Sequence, residues 1–114
     1  RYAKAEVKPF IFEDTISQLN VHEQLMLLAA SRLLRRSAYC STGELEDSYQ
    51  ALCDEVGKKP LGHTQFWQYM KELNAFGIIT TKKSGRGTVG NTTLITIEDV
   101  PVSELIAFME KRLI

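Results

Sequence analysis

The sequence predicts a mostly helical α+β domain with one small β-hairpin, and three observations lead there. Apolar residues recur at helical spacing through successive stretches of the chain. Two of those stretches open on a capping box, a short polar side chain and a glutamate three residues on that satisfy each other's backbone amides. After Gly77 the period shortens from 3.6 to 2, and two β-branched runs flank a glycine-rich segment.

The elements follow in order. Phe10 to Leu19 reads as a short helix with Ile11, Ile16 and Leu19 inward. Asn20 then caps a longer helix, with Glu23 as its reciprocal partner. Val21, Leu25, Met26, Leu27, Leu28, Ala29, Leu33 and Leu34 put apolar groups on nearly every side of it, so several neighbours must bury it. Arg32, Arg35 and Arg36 close it, cations near the negative end of the helix dipole. Ser41 and Glu44 form the second capping box, opening a helix to Val56 with Gly57 as its left-handed stop. Leu45, Tyr49, Leu52 and Val56 repeat along that helix, while Glu44, Glu46, Asp47, Asp54 and Glu55 make it acidic. An acidic helix is a poor neighbour for phosphate and should face solvent or another protein.

Pro60 breaks the chain before a helix from Thr64 to Phe76, stopped by Gly77. Phe66, Tyr69, Met70 and Leu73 fall on one side of it; Thr64, Gln68, Lys71 and Ala75 fall on the other, with Trp67 at the flank. Ile78 to Lys83 and Thr92 to Ile97 are the two strands, and Ser84 to Asn91 is the tip between them. Pro101 suits the first turn of a closing helix whose Val102, Leu105, Ile106, Met109 and Leu113 form an apolar stripe. The order helix, helix, helix, hairpin, helix is that of a winged helix-turn-helix, with residues 1–114 as a single domain.

Composition sets the outer bounds. With 114 residues, 44% of them apolar and 25% charged, the chain can bury one core and has the balance of a soluble globular protein. No apolar run approaches the ~20 residues of a membrane span, so no membrane partner is expected. Arg1-Tyr2-Ala3-Lys4 offers neither an initiator methionine nor a signal-peptide core. The chain is therefore expected to be a fragment of a longer protein, with residues 1–19 a leading segment from the region upstream. Cys40 and Cys53 are too few and too far apart for a metal knuckle or a redox pair, and read as reduced, buried, intracellular thiols.

The net charge of zero hides an uneven distribution. Residues 1–57 hold six basic and nine acidic groups, net −3, and residues 91–114 hold two and four, net −2. Residues 58–90 hold Lys58, Lys59, Lys71, Lys82, Lys83 and Arg86 against Glu72 alone, net +5. A basic stretch within a neutral domain is the footprint expected where one face meets phosphate. Lysines that merely solvate a surface account equally well for Lys58 and Lys59, less well for the crowded Lys82, Lys83 and Arg86.

Gly85-x-Gly87-x-x-Gly90 matches a dinucleotide-binding pattern, but that chemistry needs a helix N-terminus after the glycines and a strand follows here. Gly85 and Gly90 also have P-loop spacing, yet Asn91 stands where that motif needs lysine. The other signatures of a kinase glycine loop are absent. The glycines instead let a hairpin tip approach another backbone closely, and with Lys82, Lys83 and Arg86 beside them that backbone reads as DNA, Arg86 reaching into a minor groove. His22 and His63 have no metal-ligand spacing; His22 reads as a surface residue, whereas His63 stands where a phosphate or base contact is as good a reading as none. Trp67 reads as packing before stacking. No nucleophile–base pair can be assembled, so no catalytic residue is expected and the chain is not read as an enzyme.

The run Leu19-Asn20-Val21-His22-Glu23-Gln24-Leu25-Met26-Leu27-Leu28-Ala29 resembles the start of the winged-helix domain in archaeal origin-recognition/cell-division-control replication initiators. Thr42-Gly43-Glu44-Leu45 with Leu52-Cys53, and Phe66 followed by Glu72-Leu73-Asn74-Ala75-Phe76-Gly77-Ile78-Ile79, resemble the same family. Ser84-Gly85-Arg86-Gly87 with Gly90-Asn91-Thr92 is similar to its basic, glycine-punctuated wing. The resemblance spans roughly Phe10 to Ile97 and implies origin DNA as partner, with initiator subunits or the replicative helicase as further partners and a nucleoid-associated, cytoplasmic location. It implies an AAA+ ATPase module upstream of Arg1, which would take ATP and magnesium; no cofactor is expected in this chain. It further implies helix contacts to the major groove from His63, Thr64, Gln65, Gln68 and Lys71. Wing contacts to the minor groove would come from Lys82, Lys83, Gly85, Arg86, Gly87 and Thr88. The chain departs from the family in carrying no Lys or Arg in His63-Thr64-Gln65-Phe66-Trp67. Two other readings stay open: a winged helix that docks proteins, and a winged-helix transcription regulator.

Overall fold

The structure, a computed structural model, describes residues 13–84, 92–98 and 100–113. Among them are a helical segment over residues 13–17 (α1), helices Val21–Leu34 (α2), Thr42–Glu55 (α3), His63–Ala75 (α4) and Val102–Leu113 (α5), and strands Cys40–Ser41 (β1), Thr80–Ser84 (β2) and Thr92–Thr96 (β3). This is the mostly helical architecture with a small sheet that the periodicity predicts. Phe10 and Ile11 of the expected first helix lie outside the described residues, as does the wing tip with Gly85, Arg86, Gly87 and Thr88.

Helix α2 is the axis of the core. Leu25, Met26, Leu27, Leu28, Ala29 and Ala30 are all buried, as a helix apolar on every side requires. Leu45, Tyr49 and Leu52 of α3 cover one side, Phe66, Met70 and Leu73 of α4 another, and Leu105, Ile106 and Met109 of α5 a third. Leu34 and Val102 line one groove while Arg112 reaches Gln24, so α5 runs back along α2. The Gln24 amide joins three elements, donating to the carbonyls of Ile16 and Leu19 at 3.1 and 3.0 Å and accepting from Arg112 Nε at 3.4 Å. Arg32 is the cation of the last turn of α2, as expected, and it also ties α2 to α5 through Glu110 at 2.9 Å and faces Glu55 of α3 at 3.7 Å. Both cysteines are free and buried, and burial pushes both thiols up, Cys40 to about 11.

Both capping boxes are present: Asn20 Oδ1 accepts from the Glu23 amide at 2.8 Å and Ser41 Oγ from the Glu44 amide at 3.1 Å, each glutamate answering on the cap amide. Gly57 and Gly77, at φ 76 and 79, end α3 and α4 in the same way. Beyond each glycine, the next amide donates five residues back, Lys58 to the Cys53 carbonyl at 2.8 Å and Ile78 to the Leu73 carbonyl at 3.0 Å. That return at Gly77 turns Ile78 and Ile79 into the core before pairing begins, so β2 starts at Thr80 and not at Ile78 as the β-branched run suggests. Helix α4 likewise starts one residue early, at His63, and α5 starts just after Pro101.

The sheet is antiparallel in the order β1-β3-β2. The hairpin register pairs Thr80 with Thr96 through to Ser84 with Thr92. The third strand, β1, was not expected: its two residues, paired as Cys40 with Ile95 and Ser41 with Leu94, are too short for periodicity to register. Thr96 Oγ1 donates to the Ala38 carbonyl at 3.0 Å and Thr42 Oγ1 to the Thr93 carbonyl at 3.1 Å, fastening the hairpin to the α2–α3 connection.

Candidate nucleic-acid interface

The turn between α3 and α4 decides how α4 is presented. Tyr49 Oη accepts from the Leu61 amide at 2.9 Å and lies 2.9 Å from His22 Nδ1. Burial first, and then nearby Lys58, lower the pKa of His22, which favours a neutral ring whose Nδ1 accepts the Tyr49 hydroxyl proton. His22 is thus a half-buried packing residue and not the surface histidine the sequence suggests.

Helix α4 turns Phe66, Met70 and Leu73 into the core and leaves His63, Thr64, Gln65, Gln68 and Lys71 exposed. His63, Thr64, Gln68 and Lys71 line one shallow groove with Trp67, of about 470 Å³. A second, of about 410 Å³, runs between α4 and the hairpin and brings Trp67, Lys71 and Asn74 together with Thr81, Lys82 and Lys83. Gln65 is exposed but lines neither groove. Among the described residues Lys71, Lys82 and Lys83 enter no ion pair; the Lys82 ammonium lies 5.6 Å from the ring centre of Tyr39, within cation–π range. Of the expected wing contacts only Lys82 and Lys83 fall on described residues. Gly85, Arg86, Gly87 and Thr88 do not.

Two neighbours of this face escape a linear reading. Glu46 of α3 holds His63 Nδ1 at 3.0 Å with both carboxylate oxygens, so one acidic residue of α3 faces α4 and not solvent. Tyr39 stands before β1, an element that periodicity misses. Each is placed by packing between elements far apart in sequence, and neither carries a motif. No group of three or more His, Cys, Asp or Glu side chains gathers among the described residues, and no described helix is long and apolar enough to cross a membrane.

Residues 14–105 match the family model described as CDC6, C terminal winged helix domain. The chain is 35% identical over 106 residues to the ORC1-type DNA replication protein 2 of Sulfurisphaera tokodaii, covering 90% of this chain and 25% of that protein. The ORC1-type DNA replication protein 2 of Saccharolobus solfataricus is 35% identical over 99 residues, covering 83% and 24%. Among solved structures, Cdc6p from Pyrobaculum aerophilum superposes with a TM-score of 0.77 at 36% identity, over 89% of this chain and 25% of that one. The Aeropyrum pernix ORC1 protein in complex with DNA reaches 0.83 at 23% identity over 96% and 28%, a likeness of fold alone. The chain spans about a quarter of the length of these relatives. A buried axial helix, a helix-turn-helix and a hairpin closed by a last helix are matched across most of the chain, which belongs to the C-terminal winged-helix domains of archaeal ORC/Cdc6 replication initiators.

Proposed function

We propose that this domain binds double-stranded DNA at replication origins, with α4 in the major groove and the hairpin at the neighbouring minor groove, as the C-terminal part of a replication initiator. The observation that carries the reading is the convergence of Lys71, Lys82 and Lys83 on one open groove, each exposed and without a carboxylate partner among the described residues. Three ammonium groups left unpaired on one face attract polyphosphate, and counterion release makes such binding weaken as salt rises. Gln68 and Lys71, exposed on the same side of α4, have the chemistry to read base edges, glutamine to adenine and lysine to guanine. Arg86 is assigned to groove width at the wing tip. A relative of the same fold was solved with DNA, which favours this use of the fold over a protein-docking one.

ATP and magnesium are assigned to an upstream module of the full-length protein. The glycines here run into strand β3 and not into a helix that could receive a pyrophosphate.

Fluorescence anisotropy on random and origin-repeat duplexes tests the assignment. Arg86→Ala is expected to weaken binding to every duplex several-fold, because a phosphate or groove contact carries no base identity. Gln68→Ala is expected to change the preference among sequences. Equal effects of both variants on specific and random DNA would remove the base-reading role of α4.

A further inference from the structure

We propose that Trp67 is a specificity-determining residue that reads the C5 methyl group of a thymine; this rests on the DNA-binding reading above. Trp67 is the residue of α4 that, with Lys71, lines both open grooves, the one along the helix and the one against the hairpin. Its ring is half-buried: part of it packs on the core and the remainder faces the grooves. The other groove-lining residues of α4 are His63, Thr64, Gln68, Lys71 and Asn74, all polar, together with the buried Met70. The indole is therefore the one large apolar surface that this side of α4 offers.

Its placement is fixed before any ligand arrives. The His63 ring stands edge-on to it, with centroids 6.0 Å apart and planes at 69°. His63 is itself held by Glu46 at 3.0 Å. A side chain clamped between the core and a tethered ring loses little rotamer freedom on binding, which favours discrimination over adaptability. The major-groove edge of duplex DNA presents hydrogen-bonding atoms at every base and one apolar group, the thymine methyl. Among the base edges, an apolar surface carried on a groove-facing helix finds its best apolar counterpart there. Gln68 and Lys71 follow on the same helix and supply hydrogen bonds at the adjoining positions, so the preferred site should contain thymine beside purines contacted by these two.

Removing the methyl without disturbing any hydrogen-bonding edge isolates this contact. A duplex selected by the domain from a random pool is remade with deoxyuridine in place of each thymine in turn, and affinities are compared. One position is expected to lose about fourfold, the worth of one buried methyl-sized group. Trp67→Ala should bind the thymine duplex more weakly and no longer distinguish it from the deoxyuridine one, while Trp67→Phe should keep part of the distinction. Equal affinity of the unaltered domain for every deoxyuridine duplex, or a selected site without thymine, overturns the proposal while leaving DNA binding intact. Failure to bind any duplex at low salt overturns both.

Discussion

Glu46 of α3 brings both carboxylate oxygens to 3.0 Å from Nδ1 of His63, the first residue of α4, so that the acidic helix and the proposed recognition helix meet at one histidine. His63 is 67% exposed and Glu46 only 18%, which leaves the imidazole as the outward-facing member. The carboxylate accepts, so Nδ1 carries the proton and Nε2 is the acceptor nitrogen of the neutral ring. A negative group this close to a phosphate path opposes binding unless it is neutralised.

Glu46→Gln keeps an acceptor for His63 and removes the charge. Affinity for random duplex is expected to rise about two- to fivefold at low salt, the range of one partly exposed charge pair. The gain should vanish near 1 M salt, where screening acts over about 3 Å. Anisotropy at two salt concentrations decides it, and weaker binding by the variant at low salt runs against the arrangement.

Glu23 makes stability depend on pH. Its Oε1 accepts from the Asn20 amide at 3.3 Å, its Oε2 is buried, and the carboxyl of Glu72 on α4 stands beside it. Burial, and then the carboxyl–carboxyl hydrogen bond, push its pKa from 4.5 up to about 7. The folded domain thus holds a proton that the unfolded chain releases, so this contribution is full below about pH 4.5 and is lost as pH rises to about 7. Glu23→Gln offers an amide donor to Glu72 and keeps the acceptor for Asn20. It should flatten the loss and be the more stable protein at pH 8, by on the order of 2 kcal/mol. Urea unfolding at pH 5 and pH 8 reads this directly; a variant less stable than the parent at both values contradicts it.

Tyr49→Phe removes the acceptor for the Leu61 amide and the partner of His22 in one step. The expected loss is roughly 1–2 kcal/mol, or about 4–8 °C in Tm. Because the same hydroxyl fixes the turn into α4, DNA affinity should fall with it. An unchanged melting curve would show that the turn is held by other contacts.

Glycine-to-alanine changes should have opposite signs at two sites. Gly77 has φ 79 with open space around its Cα, so Gly77→Ala costs about 1–2 kcal/mol through backbone strain alone. Gly43 lies within α3, also with nothing within 4 Å of an added Cβ, and Gly43→Ala should stabilise by roughly 0.5–1 kcal/mol. Differential scanning calorimetry of the two variants tests the pair together.

The helical frame was readable because its signals are local. A capping box needs two residues three apart, and a left-handed glycine needs only itself, so Asn20, Ser41, Gly57 and Gly77 mark element ends without reference to the fold. Helix α2 betrayed its central position by having no polar side. What escaped the sequence is what long-range packing decides: the two-residue strand β1, the turning of Ile78 and Ile79 away from β2, the bridging by Arg32 and the approach of Glu46 to His63. The candidate face was half legible. Period 3.6 places Gln68 and Lys71 outward, and charge counting singles out Lys82 and Lys83. That Trp67 borders both grooves follows from the angle between α4 and the hairpin, which no periodicity encodes.

The most direct test of DNA binding is the dependence of duplex affinity on salt. With four to six cations from Lys58, Lys59, Lys71, Lys82, Lys83 and Arg86 engaged, log affinity against log salt should have a slope between about −3.6 and −5.4. Lys82→Ala should reduce it by about 1. Absence of binding at 50 mM salt, or a slope near zero that Lys82→Ala leaves unchanged, would contradict the account and turn attention to protein partners for the same face.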